Sequence, residues 1–188
     1  GLSGTRAYFL GDDSVTAPTV QAADLDGDGW ADLAVGEPFA DPSADEPANR
    51  RGMVRIYRGG QEGFAVARSS RLSGVRQGPG ADLHFGSALG VGDLNGDGVA
   101  DLAVSAPGPE GFDDDDEGFQ NPGSVSVCYG GKGGPSSCTR LVRGFAYAGS
   151  ESIAVGNVSG DARPEIVLGI PVPEIIFDPS EVYEDNRL

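Results

Sequence analysis

The sequence predicts an all-β chain assembled from propeller blades of four antiparallel strands. Three observations carry that expectation. The 188 residues include 31 glycines and 13 prolines, with only 38% hydrophobic residues, which calls for many turns between short strands. A strand–loop–strand segment recurs with anchors at Asp24, Asp93 and Asn157, 69 and 64 residues apart. Helical periodicity is absent, while Ala, Gly and Ser alternate with Val, Leu and Ile at strand spacing. Four strands per repeat of about 65 residues describe a blade rather than a solenoid coil.

Taken in order, each repeat opens with a strand before its anchor: Thr19–Ala23, Ala88–Gly92 and Ser152–Gly156. A second strand follows the loop, as Ala31–Pro38, Ala100–Pro107 and Pro164–Pro171. Small residues within these strands suit sheets packed closely on one another or near a central axis. Polar connections containing proline come next, Phe39–Arg51 and Gly108–Pro122. Third strands are expected at Met53–Tyr57 and Ser124–Tyr129, each ended by Gly-Gly, and fourth strands at Phe64–Leu72 and Ser137–Val142. The chain thus reads as a single region, 1–188, with approximate repeats 12–75, 76–145 and an incomplete 146–188.

The anchored loops carry the chemistry. Asp24, Asp26, Asp28 and Asp32 occupy relative positions one, three, five and nine, with glycine at four and six. Asp93, Asn95, Asp97 and Asp101 repeat that arrangement. Glycines with positive φ let the backbone curl until the side-chain oxygens converge, and converging carboxylates repel one another unless a cation sits between them. An all-oxygen, flexible loop suits Ca²⁺ better than Mg²⁺. The expected ligands are those eight side chains together with the carbonyls of Trp30 and Val99 at position seven. A third loop offers Asn157, Ser159, Asp161 and Glu165 around the Arg163 carbonyl, a poorer set with two carboxylates. Two calcium sites are therefore expected, with a third as a weaker candidate. The alternative is a solvated Asp/Gly turn that holds no metal. An EF-hand does not fit, because position twelve is Val35 or Val104 rather than the bidentate Glu such a loop needs, and the flanks are strands. Dockerin-type and thrombospondin-type calcium repeats share the Asp spacing but recur at much shorter intervals.

Phe85-Gly86-Ser87, the Asp93 loop and Ala106-Pro107 together resemble the FG-GAP repeat of integrin α-subunit propellers and of many bacterial secreted proteins. The second copy is complete. The first has Ala17-Pro18 in place of Phe-Gly and Glu37-Pro38 in place of Ala-Pro; the third has Gly149-Ser150 and Ile170-Pro171. The resemblance implies a seven-bladed propeller with calcium in loops on one face. Seven such blades need more than twice this chain, and three cannot close a ring of at least four. The expectation is about three repeats that form part of a larger or assembled propeller, with the remaining blades supplied by a longer chain or another subunit.

Charge narrows the partners. The formal net charge is −16, from 29 acidic against 13 basic residues, which disfavours nucleic acid and anionic membrane surfaces. No apolar run is long enough for a spanning helix, so membrane insertion is not expected. Gly1–Arg6 lacks the apolar core of a signal peptide, which suits a processed start or one inside a longer chain. Asp113–Glu117 reads as a solvated acidic loop, with cations or a basic partner as the alternative. Arg50, Arg51, Arg55, Arg58, Arg68, Arg71 and Arg76 give repeat one a basic side suited to an inter-blade contact. Cys128 and Cys138 flank a Gly-rich turn; a disulfide, two buried thiols and, least favoured, a metal site all remain open.

Catalysis finds little support. His84 is the single histidine and precedes Phe85, where a capping or packing role fits; neither a nucleophile elbow nor a phosphate loop is present. The expected function is a calcium-binding extracellular module with a structural, adhesion or ligand-binding role toward a protein or glycan. The alternatives are an accessory domain of a secreted hydrolase or lyase, and a carbohydrate-binding module using Trp30, Phe39 and Phe112.

Overall fold

A computed structural model describes residues 19–40, 51–64, 69–74, 84–107, 123–143, 152–161 and 164–169. The acidic run 113–117, Phe112 and Arg163 lie outside the described residues, as do Arg50, Arg68, Arg76, the 17–18 and 149–150 motif positions and Ile170-Pro171. The described elements are all strands: β1 (Thr19–Ala23), β2 (Asp32–Glu37), β3 (Met53–Tyr57), β4 (Ser69–Leu72), β5 (Leu89–Gly92), β6 (Asp101–Ala106), β7 (Ser124–Cys128), β8 (Thr139–Arg143), β9 (Ser152–Gly156) and β10 (Glu165–Gly169).

They form two four-stranded antiparallel meanders, β1-β2-β3-β4 and β5-β6-β7-β8, and a β9–β10 hairpin. The expected blade architecture is borne out. Ala23 pairs with Asp32, Gly92 with Asp101 and Gly156 with Glu165, so all three loops close on the same register. The third copy therefore reproduces the strand–loop–strand unit. The fourth strand of the second blade begins at Thr139, two residues later than the sequence pattern indicated.

The two blades share one core. Leu25, Ala34, Val54, Ile56 and Leu72 of the first cluster with Leu89, Leu102, Val104, Ala106 and Cys128 of the second, and Phe85 lies fully buried among them. Phe85 reaches that position because its backbone pairs across the blade boundary. Its N–H donates to the Arg51 carbonyl at 2.9 Å, and the next N–H, of Gly86, donates to the Ser105 carbonyl at 2.9 Å. The Phe-Gly segment is thus a staple between blades. Burying such an aromatic dominates local packing energetics.

The small residues of the inner strands are explained by close approach. A Cβ at Gly90 would lie 2.6 Å from Ile153 Cγ2, and one at Gly92 would lie 2.5 Å from Val155 Cγ1, so the Ile153 and Val155 side chains of β9 pack directly on the glycine backbone of β5. On the other side, Thr19 Oγ1 donates to the Gly86 carbonyl at 2.9 Å and Gln21 Nε2 to the Leu89 carbonyl at 3.1 Å, tying β1 to the neighbouring blade.

Cys128 and Cys138 form a disulfide, with a Cα–Cα distance of 4.1 Å. Register explains it: Val127 pairs with Thr139, which sets the next residue on β7 opposite the residue that precedes β8. The departure Glu37-Pro38 has a partner as well. Glu37 accepts from Arg55 Nε at 2.9 Å and Nη2 at 3.0 Å, where the second blade carries Ala106 and Ser126. His84 packs as expected, its ring 5.0 Å from that of Phe39 and its carbonyl accepting from Ser87.

Candidate metal centre

Loop one follows directly from its sequence. Asp24 at position one accepts three backbone N–H groups: Gly27 at 2.7 Å and Asp28 at 3.2 Å on Oδ1, and Gly29 at 2.8 Å on Oδ2. Asp26 Oδ1 accepts from Asp28 N at 3.2 Å, and Asp28 Oδ1 from Trp30 N at 2.8 Å. Short Asp and Asn side chains bond neighbouring backbone in this way, which makes them turn formers. The curl requires φ of 75° at Gly27 and 88° at Gly29, a region that costs other residues strain. Its result is convergence: one carboxylate oxygen from each of Asp24, Asp26 and Asp28 lies within 4.8 Å of the others.

Loop two repeats this lattice bond for bond. Asp93 accepts from Gly96 at 2.7 Å, Asp97 at 3.0 Å and Gly98 at 2.8 Å. Asn95 Oδ1 accepts from Asp97 N at 2.9 Å, and Asp97 Oδ1 from Val99 N at 2.8 Å. The amide at position three adds one bond, from Asn95 Nδ2 to Asp97 Oδ2 at 2.9 Å.

Position nine serves a different purpose from the rest. Asp32 is fully buried; its Oδ2 accepts from Leu25 N at 3.2 Å and its Oδ1 from Gly59 N at 2.8 Å. Asp101 is equally buried, taking Leu94 N at 2.8 Å and Asn95 N at 3.2 Å on Oδ2, and Gly130 N at 2.8 Å on Oδ1. Each carboxylate therefore clamps the loop's start to the turn after the blade's third strand. A carboxylate oxygen keeps a second lone pair, so this clamp is compatible with metal ligation. The Gly-Gly dipeptides read as turn signals are half of the clamp. A Cβ would meet the Ala31 carbonyl oxygen at 2.1 Å from Gly59, and the Ala100 carbonyl oxygen at 2.2 Å from Gly130. Burial pushes the Asp32 carboxyl above its ordinary pKa; the Gly59 N–H opposes the rise and the Asp26 charge adds to it.

Loop three keeps the outline with weaker chemistry. Asn157 Oδ1 accepts from Gly160 N at 2.7 Å and Glu165 Oε2 from Val158 N at 2.8 Å, the position-nine contact again. Ser159 Oγ donates to Glu165 Oε1, and this bond, more than the Val158 N–H, holds Glu165 below its ordinary carboxylate range. Asp161 N reaches Ser159 Oγ at 3.5 Å, and Asn157 Nδ2 the Asp161 carbonyl at 3.4 Å.

One contact escaped the sequence pattern. Arg58 Nη1 bonds Asp26 Oδ2, placing a guanidinium on the acidic cluster. Its neighbour Gly59 belongs to a Gly-Gly turn signal, but nothing at the sequence level joins position 58 to position 26. Of the basic group, Arg55 and Arg58 thus make ion pairs inside blade one, while the Arg51 carbonyl serves the Phe85 staple.

The sequence model of the FG-GAP repeat family matches residues 16–57 and 85–128. These two segments are FG-GAP repeats. The matched segments run through the third strand of each blade, and the structure adds the β9–β10 hairpin as a third, similar unit. Integrin alpha-PS2 of Drosophila melanogaster is 30% identical over 173 residues, covering 85% of this chain and 12% of that protein. Human integrin alpha-7 is 33% identical over 160 residues, 80% of this chain and 12% of the relative. The phosphatidylinositol-glycan-specific phospholipase D of Bos taurus is 32% identical over 159 residues, 80% of this chain and 18% of the relative. The chain spans between 12% and 18% of the length of these relatives. The FG-GAP blades hold a disulfide, and no helix among the described residues is long and apolar enough to cross a membrane.

Proposed function

We propose that the chain is a calcium-stabilised part of an extracellular β-propeller, non-catalytic in itself, with an adhesive, ligand-binding or structural role. The observation that carries the metal is the convergence of Asp24, Asp26 and Asp28 to within 4.8 Å. Such a donor set is hard, anionic and all-oxygen, and calcium is the cation it fits. Asp24, Asp26, Asp28 and Asp32 with the Trp30 carbonyl would hold one ion; Asp93, Asn95, Asp97 and Asp101 with the Val99 carbonyl would hold a second. Asn157, Ser159, Asp161, Glu165 and the Arg163 carbonyl form a weaker third set. When bound, the ion offsets carboxylate repulsion and fixes the connection between the first two strands of a blade.

The extracellular placement is supported by the Cys128–Cys138 disulfide and by similarity to integrin alpha chains. Repeats 12–75, 76–145 and 146–188 would each form a blade, the last completed, like the rest of the ring, by a longer chain or another subunit. Light scattering tests this: a stable, compact 19 kDa monomer would count against it.

The decisive experiment for the metal is thermal unfolding with and without a chelator. A ligand at a hundred times its dissociation constant stabilises by about 2.7 kcal/mol per site. Chelation should therefore lower Tm by several degrees, with calcium restoring it; an unchanged curve would reject the reading. The similarity to the phospholipase D supports a second reading, an accessory part of a secreted enzyme. Binding of the chain to a phospholipase domain supplied separately would favour it.

A further inference from the structure

The two complete loops balance their charge differently. Loop one carries Asp at position three, and Arg58 sits on that carboxylate with both side chains largely enclosed, 19% and 13% exposed. Loop two carries Asn95 there, and its amide bonds Asp97 instead. The register places Leu33 opposite Tyr57 and Leu102 opposite Cys128, so the residue equivalent to Arg58 in blade two is Tyr129, which is 46% exposed. Blade one thus has a cation where blade two has none.

Arg58 is also held from behind. A Cβ placed on Gly134 would lie 2.8 Å from its Nη2 and 3.0 Å from Cζ, so the guanidinium rests against the backbone of the turn closed by Cys128–Cys138. Glycine at 134 leaves the space it fills. The guanidinium is therefore seated between loop one and the neighbouring blade.

Building on the calcium reading above, we propose that Arg58 is a resident counter-ion of loop one. It orders the loop when calcium is absent and competes with calcium for Asp26. Loop one therefore binds more weakly than its four carboxylates alone would allow, and its occupancy is linked to the seating of blade two's turn through Gly134. A guanidinium is always charged and bonds carboxylate directionally, so it suits this role better than a mobile lysine. An ion entering loop one must either displace Arg58 or share Asp26 with it. A unit positive charge a few ångströms from a divalent ion weakens binding by about tenfold even at a water-like dielectric.

Calorimetric titration of the whole chain with calcium chloride, after chelation, tests this. Asp97→Asn, which impairs loop two, isolates the constant of loop one. Added to Asp97→Asn, Arg58→Gln should tighten that constant about tenfold, and by itself it should melt a few degrees lower than wild type in chelator. Arg58→Lys should fall between them. An Arg58→Gln constant unchanged or weakened would overturn the proposal while leaving the calcium reading intact. No calcium uptake by wild type would remove that reading itself. NMR signals of the Arg58 guanidinium in wild type give a readout that needs no variant. They should shift as loop one fills, and signals indifferent to calcium would refute the competition.

Discussion

Loops one and two share a hydrogen-bond lattice but not their surroundings. In both, position one accepts three N–H groups and position nine clamps the loop to the turn after the third strand. In loop one the Leu25 side chain is fully buried, and the neighbouring blade caps the loop backbone. Ala100 N donates to the Asp24 carbonyl and Gly131 N to the Leu25 carbonyl, both at 3.1 Å. The equivalent Leu94 is only half-buried. The lattice therefore belongs to the motif, and the degree of enclosure to whichever blade comes next. A motif repeated in sequence is repeated in geometry without being repeated in energy.

The largest test of that contrast is Phe85→Ala. Phe85 lies in the core both blades share, so truncation should cost about 4 kcal/mol by urea denaturation. A loss under about 1.5 kcal/mol would show that the blades do not depend on a joint core. Breaking the disulfide with Cys128→Ser and Cys138→Ser comes next. The bridge spans ten positions, and closing a loop of that size contributes about 3 kcal/mol. The loss should fall on blade two, since blade one has Tyr57 at the matching place.

Asp32→Ala and Asp101→Ala, both measured in chelator, sharpen the comparison further. Each strips acceptors from buried N–H groups and should cost about 2 kcal/mol. Both carboxylates are fully buried and take the loop-start and post-strand N–H groups, with Asp101 accepting one more from Asn95, so the losses should agree to within about 1 kcal/mol. Clearly unequal losses would mean that the neighbouring blade, not the clamp, sets the stability of the loop.

How much of this was legible beforehand depends on sequence distance. The loops, their flanking strands and the Phe-Gly segment are local patterns; each is written within about ten consecutive residues and survives into the structure. Asp24, Asp26 and Asp28 converge because local glycines make them converge. Long-range partners were hidden. Gly59 lies 27 positions from Asp32 and Arg58 lies 32 from Asp26, and no period links them. Position nine was legible as a loop member, whereas its clamp across to the third strand was not. The Glu37 departure from the motif also made sense only once Arg55 stood beside it.

The smallest expected effect separates charge from geometry. Asn95→Asp gives loop two the acidic set of loop one, and Tyr129 offers no counter-charge where loop one has Arg58. The Asn95 Nδ2 bond to Asp97 is lost, and a carboxylate pair replaces it on an exposed loop. Exposed charges interact by well under 1 kcal/mol, so the loss in chelator should be about 0.5 kcal/mol and should shrink as salt is added. The converse change, Asp26→Asn in loop one, removes a charge but orphans the guanidinium of Arg58 in a largely enclosed seat, so it should destabilise rather than relieve. Opposite net charge changes would then both lower stability in chelator, one screened by salt and the other far less so. If Asp26→Asn instead stabilises the chelated protein, repulsion among the acids outweighs the Arg58 pair, and the two loops differ in position but not in how they manage charge.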